Sequence, residues 1–137
     1  CDFVVLGAVL REAVGLVGEA RKTGWDVPML TTAAAYGAQI HELGGKATEG
    51  LYGIPLLPHP YPDPKNKALT DWISAYKQRF NVDPNYYTVI AYVSADLFVQ
   101  VAQKAGPNLS NESFAKAVQG LTREPDFFGS PRPKTWP

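Results

Sequence analysis

The first half of the chain alternates short apolar runs with stretches of helical periodicity. Residues 3–6 form an unbroken apolar run, which is typical of a strand buried on both faces of a parallel sheet. Apolar residues then recur at helical spacing from Leu10 to Ala20, and Gly24 ends that pattern. We predict a second strand at 28–31, a short helix near 38–43 and a third strand at 51–57. This order of elements predicts a parallel α/β unit with right-handed crossovers.

Proline dominates the middle of the chain. Five prolines fall within residues 55–64. Because proline fixes φ and lacks a backbone N–H, this stretch cannot form a helix or a central strand. We expect a stiff, extended connector.

The second half is helical. Asp63 and Pro64 are predicted as the N-cap and first residue of a helix. Its apolar face comprises Leu69, Trp72, Ile73, Tyr76 and Phe80.

Two further helices are predicted beyond it. Residues 88–104 are apolar on nearly every side, which predicts a deeply buried helix. Gly106 and Pro107 stop this helix, and Ser110 is the predicted N-cap of the last one. From Glu124 onward we expect irregular structure.

Composition narrows the function classes. The 137 residues are 45% apolar and 19% charged, as in folded globular domains. Thirteen basic and thirteen acidic residues give zero formal net charge. Proteins that bind nucleic acid or anionic membrane surfaces usually carry an excess of basic residues. We therefore expect neither nucleic acid nor direct membrane insertion. The single cysteine, Cys1, excludes an internal disulfide. The chain lacks an initiator methionine and a leader, so we expect a fragment of a longer protein.

Catalytic and metal-binding patterns are missing from the sequence. No serine lies in a nucleophile motif, so neither His41 nor His59 has a nucleophile to activate. Pairs of histidine, aspartate or glutamate residues occur at the spacing of metal ligands no more often than chance would give. We therefore expect a protein that is not an enzyme and needs no cofactor or metal.

The loops after the first two predicted strands are the candidate binding region, because ligands bind at the carboxyl ends of parallel strands. These loops span residues 7–11 and 31–36. The second loop offers hydroxyl groups, small side chains that leave the backbone accessible, and the ring of Tyr36. Such a loop suits a small organic molecule. A plain connector between strand and helix is an equally good interpretation.

Five segments of moderate specificity follow one another in a fixed order. They are 3–6 with 11–15, then 19–25 (EARKTGW), 43–53 (LGGKATEGLYG), 91–97 (AYVSADL) and 105–109 (AGPNL). Together they resemble the type I periplasmic solute-binding proteins of ABC importers, within them the branched-chain amino acid (Leu/Ile/Val) binding family. The resemblance covers about the second half of the family's chain.

The resemblance implies a three-layer α/β fold with a parallel sheet, in which two lobes are joined by hinge crossings. This chain would be an incomplete fragment of that two-lobed fold. Residues 1–57 would be part of the second lobe and 58–64 a hinge crossing. Residues 65–124 would be the helical part of the first lobe, and 125–137 a segment returning toward the hinge.

The implied function is that of the substrate-binding component of an ABC importer. It would capture an amino acid or a related small carboxylate between the lobes by hinge closure and deliver it to a membrane permease. The location would be periplasmic. The alternative is a ligand-sensing domain of a receptor or regulator with the same fold.

Amino-acid-binding members contact the ligand through a tyrosine after the first strand and a glutamate in the second loop. The tyrosine position falls near Val9 or Leu10, and the glutamate position falls on Ala33. Since a buried ammonium group without a carboxylate partner would cost several kcal/mol, we expect an acid without an α-amino group. Arg11 is the candidate for its carboxylate, although a solvated or structural Arg11 fits equally well. The candidate ligand-binding residues are Leu10, Arg11, Thr32, Ala33, Tyr36 and Tyr92.

Overall fold

The computed structural model describes residues 1–122 and 126–129. The chain divides into two compact units, Cys1–Leu56 and Leu57–Pro137. The first unit contains strands and helices, whereas the described residues of the second unit contain helices and no strand. The assignment of these units to lobes stays a prediction. The predicted return segment 125–137 lies outside the described residues except for 126–129.

The first unit is built on a parallel sheet of three short strands in the order β1-β2-β3. Val5, Leu30 and Tyr52 are paired across it. Its elements are β1 (Val4–Leu6), α1 (Leu10–Lys22), β2 (Met29–Thr31), α2 (Gln39–Gly44) and β3 (Tyr52–Gly53). The predicted parallel α/β unit is confirmed.

One face of this sheet carries the core. Val17 of α1 packs into a cluster with Leu6 and Met29 of the sheet. Strand alternation sends the neighbouring side chains to the other face, where Val5 is 61% and Tyr52 is 59% exposed. The expectation that the first strand is buried on both faces is therefore wrong in this chain.

The third strand is also shorter than the predicted 51–57. The Ile54 N–H donates to the Thr31 carbonyl at 3.0 Å, which ends the ladder. Pro55 follows and has no N–H to continue it. No helix or strand occurs between Gly53 and Lys67, which confirms that the proline stretch lacks regular structure.

The proline stretch contains a tight local turn. The Tyr61 N–H donates to the His59 carbonyl at 2.8 Å, and the two side-chain rings lie 4.5 Å apart between centroids. Burial lowers the pKa of the His59 imidazole below its ordinary value, which favours the neutral ring.

The first helix of the second unit begins later than predicted. Helix α3 spans Lys67–Phe80, and its N-cap is Asn66, whose side chain accepts from the Leu69 N–H at 3.1 Å. Asp63 is not the cap. Its carboxylate accepts from the Lys65 N–H at 2.9 Å and closes a turn before the helix.

We expect Asn66→Ala to lower the free energy of unfolding by about 1–2 kcal/mol, because a helix cap is worth about that much. The Asn66 amide also donates to the Phe127 carbonyl at 2.6 Å, and this bond would be lost as well. Urea denaturation of the two variants Asn66→Ala and Asp63→Ala measures the difference. An equal loss in both would restore Asp63 as the cap.

The second unit continues with two further helices, α4 (Tyr86–Ala105) and α5 (Asn111–Gln119). Leu69 of α3 packs with Val89 and Val93 of α4 in one cluster. Val101 of α4 packs with Ala117 of α5 in another. Ser110 caps α5 through the Ser113 N–H, as predicted, and Gly106 ends α4 with a φ of +86°.

Helix α4 is less buried than its composition predicts. One face is buried through residues such as Val89 and Val93, but Phe98 is 55% and Val99 is 48% exposed. The prediction of deep burial is wrong for this chain, because the packing partners in the described residues touch one side only. Within 1–122 and 126–129, no helix combines the length and apolar character needed to cross a membrane.

Candidate ligand-binding site

The loop after β1 leads into the N-terminus of α1, where two of the candidate residues lie. Leu10 is half-buried and packs against a cluster that contains Ala13, Ala35 and Ile40. Arg11 is exposed, and its guanidinium makes no hydrogen bond or ion pair with the described residues. The Arg11 side chain is therefore available to an anion from solvent.

The loop after β2 forms a single 3₁₀ turn, Ala33–Ala35. Thr32 precedes it, and the Ala35 N–H donates to the Thr32 carbonyl at 3.0 Å. Ala35 is fully buried, whereas Thr32 and Ala33 are half-buried. Alanine side chains allow this turn to pack closely against α1, which contacts it.

Tyr36 follows the turn and lies over the end of β3. A Cβ atom added to Gly53 would come within 2.8 Å of Tyr36 Cδ2, so only glycine leaves room for the ring as placed. Sequence reasoning missed this contact. The signal was available, since a glycine inside a strand pattern often marks a close approach.

Five of the six candidates therefore lie at the carboxyl edge of the sheet, and only Tyr92 lies elsewhere. Leu10 shares its cluster with Ala35, which lies between Ala33 and Tyr36 in the chain. The turn supplies a hydroxyl group, backbone groups and one ring, and it contains no carboxylate. In the described part of the chain, no group of three histidine, cysteine, aspartate or glutamate side chains is arranged to hold a metal ion.

Tyr92 lies in the second unit, in a cluster of aromatic rings. Its ring centroid is 5.5 Å from that of Trp72 and 5.7 Å from that of Phe128. Its predicted contact with a ligand stays a prediction.

A groove of about 440 Å³ lies beside this cluster, and sequence reasoning missed it. We call it the α3–α4 groove. It is lined by Trp72, Ala75, Tyr76, Arg79, Phe80, Thr88, Ala91 and Tyr92. The spacing of the α3 aromatics predicts a core face, but in the described residues that face is open to this groove.

The first unit is an α/β structure with a parallel sheet, flanking helices and loops at the strand ends. In proteins of this kind, ligands bind at the carboxyl edge of the sheet. The chain matches the family described as periplasmic binding protein over residues 1–134. It belongs to that family, and the resemblance found in its five segments is confirmed.

Solved structures with the same fold carry related descriptions. A leucine-binding protein of Thermotoga maritima is 22% identical, with a TM-score of 0.72 over 89% of this chain and 34% of its own. A fatty acid ABC transporter substrate-binding protein of Thermomonospora curvata is 26% identical, with a TM-score of 0.74 over 93% and 33%. A branched-chain amino acid transporter substrate-binding protein of Streptococcus pneumoniae, in complex with isoleucine, is 24% identical, with a TM-score of 0.69 over 96% and 36%.

The chain therefore spans about a third of the length of each of these structures. A comparison with curated protein sequences finds no match.

Proposed function

We propose that the protein carrying this chain is the substrate-binding component of an ABC importer, located in the periplasm. It captures a small carboxylate-bearing solute and delivers it to a membrane permease. Membership of the periplasmic binding protein family supports this role. The observation that carries this proposal is the packing of Leu10 against the cluster that contains Ala35 of the Ala33–Ala35 turn, at the carboxyl edge of the sheet.

The chemistry of this edge favours an acid without an α-amino group. By the family resemblance, Ala33 falls at the position of a ligand-binding glutamate, and the turn around it offers no carboxylate. An ammonium group buried there would lack a charged partner, which is strongly unfavourable. Arg11, exposed and unpaired within the described residues, is the proposed partner of the ligand carboxylate.

The proposed mechanism is hinge closure without chemistry on the ligand. Residues 1–57 belong to one lobe, 65–124 to the other, and the proline stretch 58–64 is one of the crossings. A ligand that touches both lobes makes its full set of contacts only when they close, so binding shifts the population toward the closed state.

A thermal-shift measurement on the intact protein tests this function. Ligands that bind only the folded state raise its Tm by mass action. We expect a rise with isocaproate, which has leucine's carbon skeleton without the α-amino group, or with a longer fatty acid such as octanoate. No rise with any small acid or amino acid would contradict a solute-binding role.

We expect Tyr36→Ala to weaken binding of the preferred acid by about 1–3 kcal/mol, because the ring would lose its burial against the ligand. Tyr36→Phe keeps the ring beside Gly53 and should retain most of the affinity. Calorimetry on both variants separates the ring from the hydroxyl. Unchanged affinity in Tyr36→Ala would leave Tyr36 with a packing role only.

A further inference from the structure

Tyr36 and Gly53 meet at the carboxyl end of β3, and their contact leaves no room for a side chain at position 53. A Cβ atom added to Gly53 would lie 2.8 Å from Tyr36 Cδ2 and 3.3 Å from Tyr36 Cε2. One edge of the ring therefore rests on the glycine backbone. Because atoms this close cannot both stay in place, any other residue at position 53 would displace the ring.

The main chain of Tyr36 is held from a second direction. Its N–H donates to the Ala33 carbonyl at 3.3 Å, which closes the 3₁₀ turn after β2. Gly53 is paired in the sheet with Thr31, the last residue of β2, and Thr31 is buried. The Tyr36 ring is thus fixed beside the ends of two neighbouring strands. It is only half-buried, so part of its surface stays accessible to a ligand.

The order of the strands places the ring at one end of the candidate site. The sheet runs β1-β2-β3, so Arg11, which follows β1, and the ring over β3 lie on opposite sides of the turn after β2. Neighbouring strands are about 4.8 Å apart, which separates the ends of β1 and β3 by about 10 Å. An acid whose carboxylate meets Arg11 and whose chain crosses that turn would meet the ring.

We propose that Gly53 is a positioning residue of the binding site. By leaving room for the Tyr36 ring at the end of β3, it makes the ring the end wall of the site, and this wall sets the length of acid that fits. The inference rests on the proposed function and adds to it a limit on the ligand's chain length. Isocaproate fits in front of the ring, whereas the longer chain of octanoate meets it.

Calorimetry on the intact protein with isocaproate and with octanoate tests the end wall. We expect the wild-type protein to bind isocaproate more tightly. Tyr36→Ala opens the end of the site, so the ratio of the octanoate Kd to the isocaproate Kd should fall by about tenfold, the effect of about one mismatched methylene in an apolar pocket. An unchanged ratio would overturn the length limit.

Gly53→Ala in two backgrounds tests the positioning role. With Tyr36 present, the added methyl group displaces the ring, so the isocaproate Kd should rise by about fivefold or more, as for residues in direct contact. With Tyr36→Ala there is no ring to displace, and the same change should alter the Kd by less than about twofold. Gly15→Ala is the control, since its Cβ atom would meet nothing within 4 Å. Equal effects of Gly53→Ala in both backgrounds would overturn the proposal.

The Tm of the ligand-free variants separates positioning from a general loss of structure. We expect Gly53→Ala to lower the Tm when Tyr36 is present and to leave it nearly unchanged in the Tyr36→Ala background. A similar loss in both backgrounds would overturn the proposal. A wild-type protein that binds neither acid would overturn the proposed ligand chemistry and this inference together. A wild-type protein that binds isocaproate with a Kd insensitive to Gly53→Ala would overturn this inference alone.

Discussion

Replacing Gly44 by alanine should lower the free energy of unfolding by about 1–3 kcal/mol, the usual range for overpacking a tight site. A Cβ atom at Gly44 would overlap the Thr48 methyl group and come within 3.3 Å of the Thr48 hydroxyl oxygen. Thr48 is fully buried and cannot move aside freely. Its hydroxyl donates to the Gly45 carbonyl at 2.9 Å and lies 3.1 Å from His41 Nδ1.

Gly15→Ala is the matched control for that substitution. Gly15 lies inside α1, and an added Cβ atom there would meet nothing within 4 Å. Alanine is the better helix former, so this variant should be more stable by about 0.5–1 kcal/mol. Urea denaturation of both variants gives opposite signs if the contact with Thr48 is real. A Gly44→Ala variant as stable as Gly15→Ala would disprove the tight packing.

Ala33→Glu should shift ligand preference toward amino acids by a factor of about ten to a hundred, since a hydrogen bond to a charged group is worth about 1.5–3 kcal/mol. The new carboxylate would stand in the turn at the carboxyl edge of the sheet, at the position that the family resemblance assigns to a ligand-binding glutamate. The measured quantity is the ratio of Kd values for leucine and isocaproate.

Ala34→Glu is the control for charge alone, because Ala34 is the exposed neighbour of the half-buried Ala33. We expect it to leave that ratio nearly unchanged. A shift of equal size in both variants would mean that the added charge acts at a distance. No shift in Ala33→Glu would remove position 33 from the binding site.

Local patterns predicted most elements of the fold. The helical spacing around Val17 and the stop at Gly24 place α1 correctly, and Ser110 is the N-cap of α5 as expected. The predicted start of α3 was wrong because Asp63-Pro64 and Asn66 both carry signals that are typical of a helix N-terminus. Only the three-dimensional contacts of Asn66 with Leu69 and Phe127 decide between them.

Burial was harder to predict than periodicity, because burial depends on which other elements are present. Val5 and Phe98 have the composition of buried positions, yet both are exposed in the described residues. The exposure of these two residues depends on contacts between elements distant in the sequence, which periodicity does not specify.

The candidate site was predictable in its location but not in its contacts. The rule that ligands meet the carboxyl ends of parallel strands led to the loops at Leu10 and Thr32. The contact of Tyr36 with Gly53 joins residues seventeen positions apart. No local pattern determines that pairing, since it depends on how β3 is placed beside β2.

Calorimetric titration of the intact wild-type protein with isocaproate and with leucine tests the proposed binding site and its ligand chemistry most directly. The absence of a carboxylate at position 33, with Arg11 open to an anion, predicts a saturable isotherm for isocaproate and binding of leucine at least tenfold weaker. Tight leucine binding together with weak or absent isocaproate binding would contradict the proposed site and its chemistry.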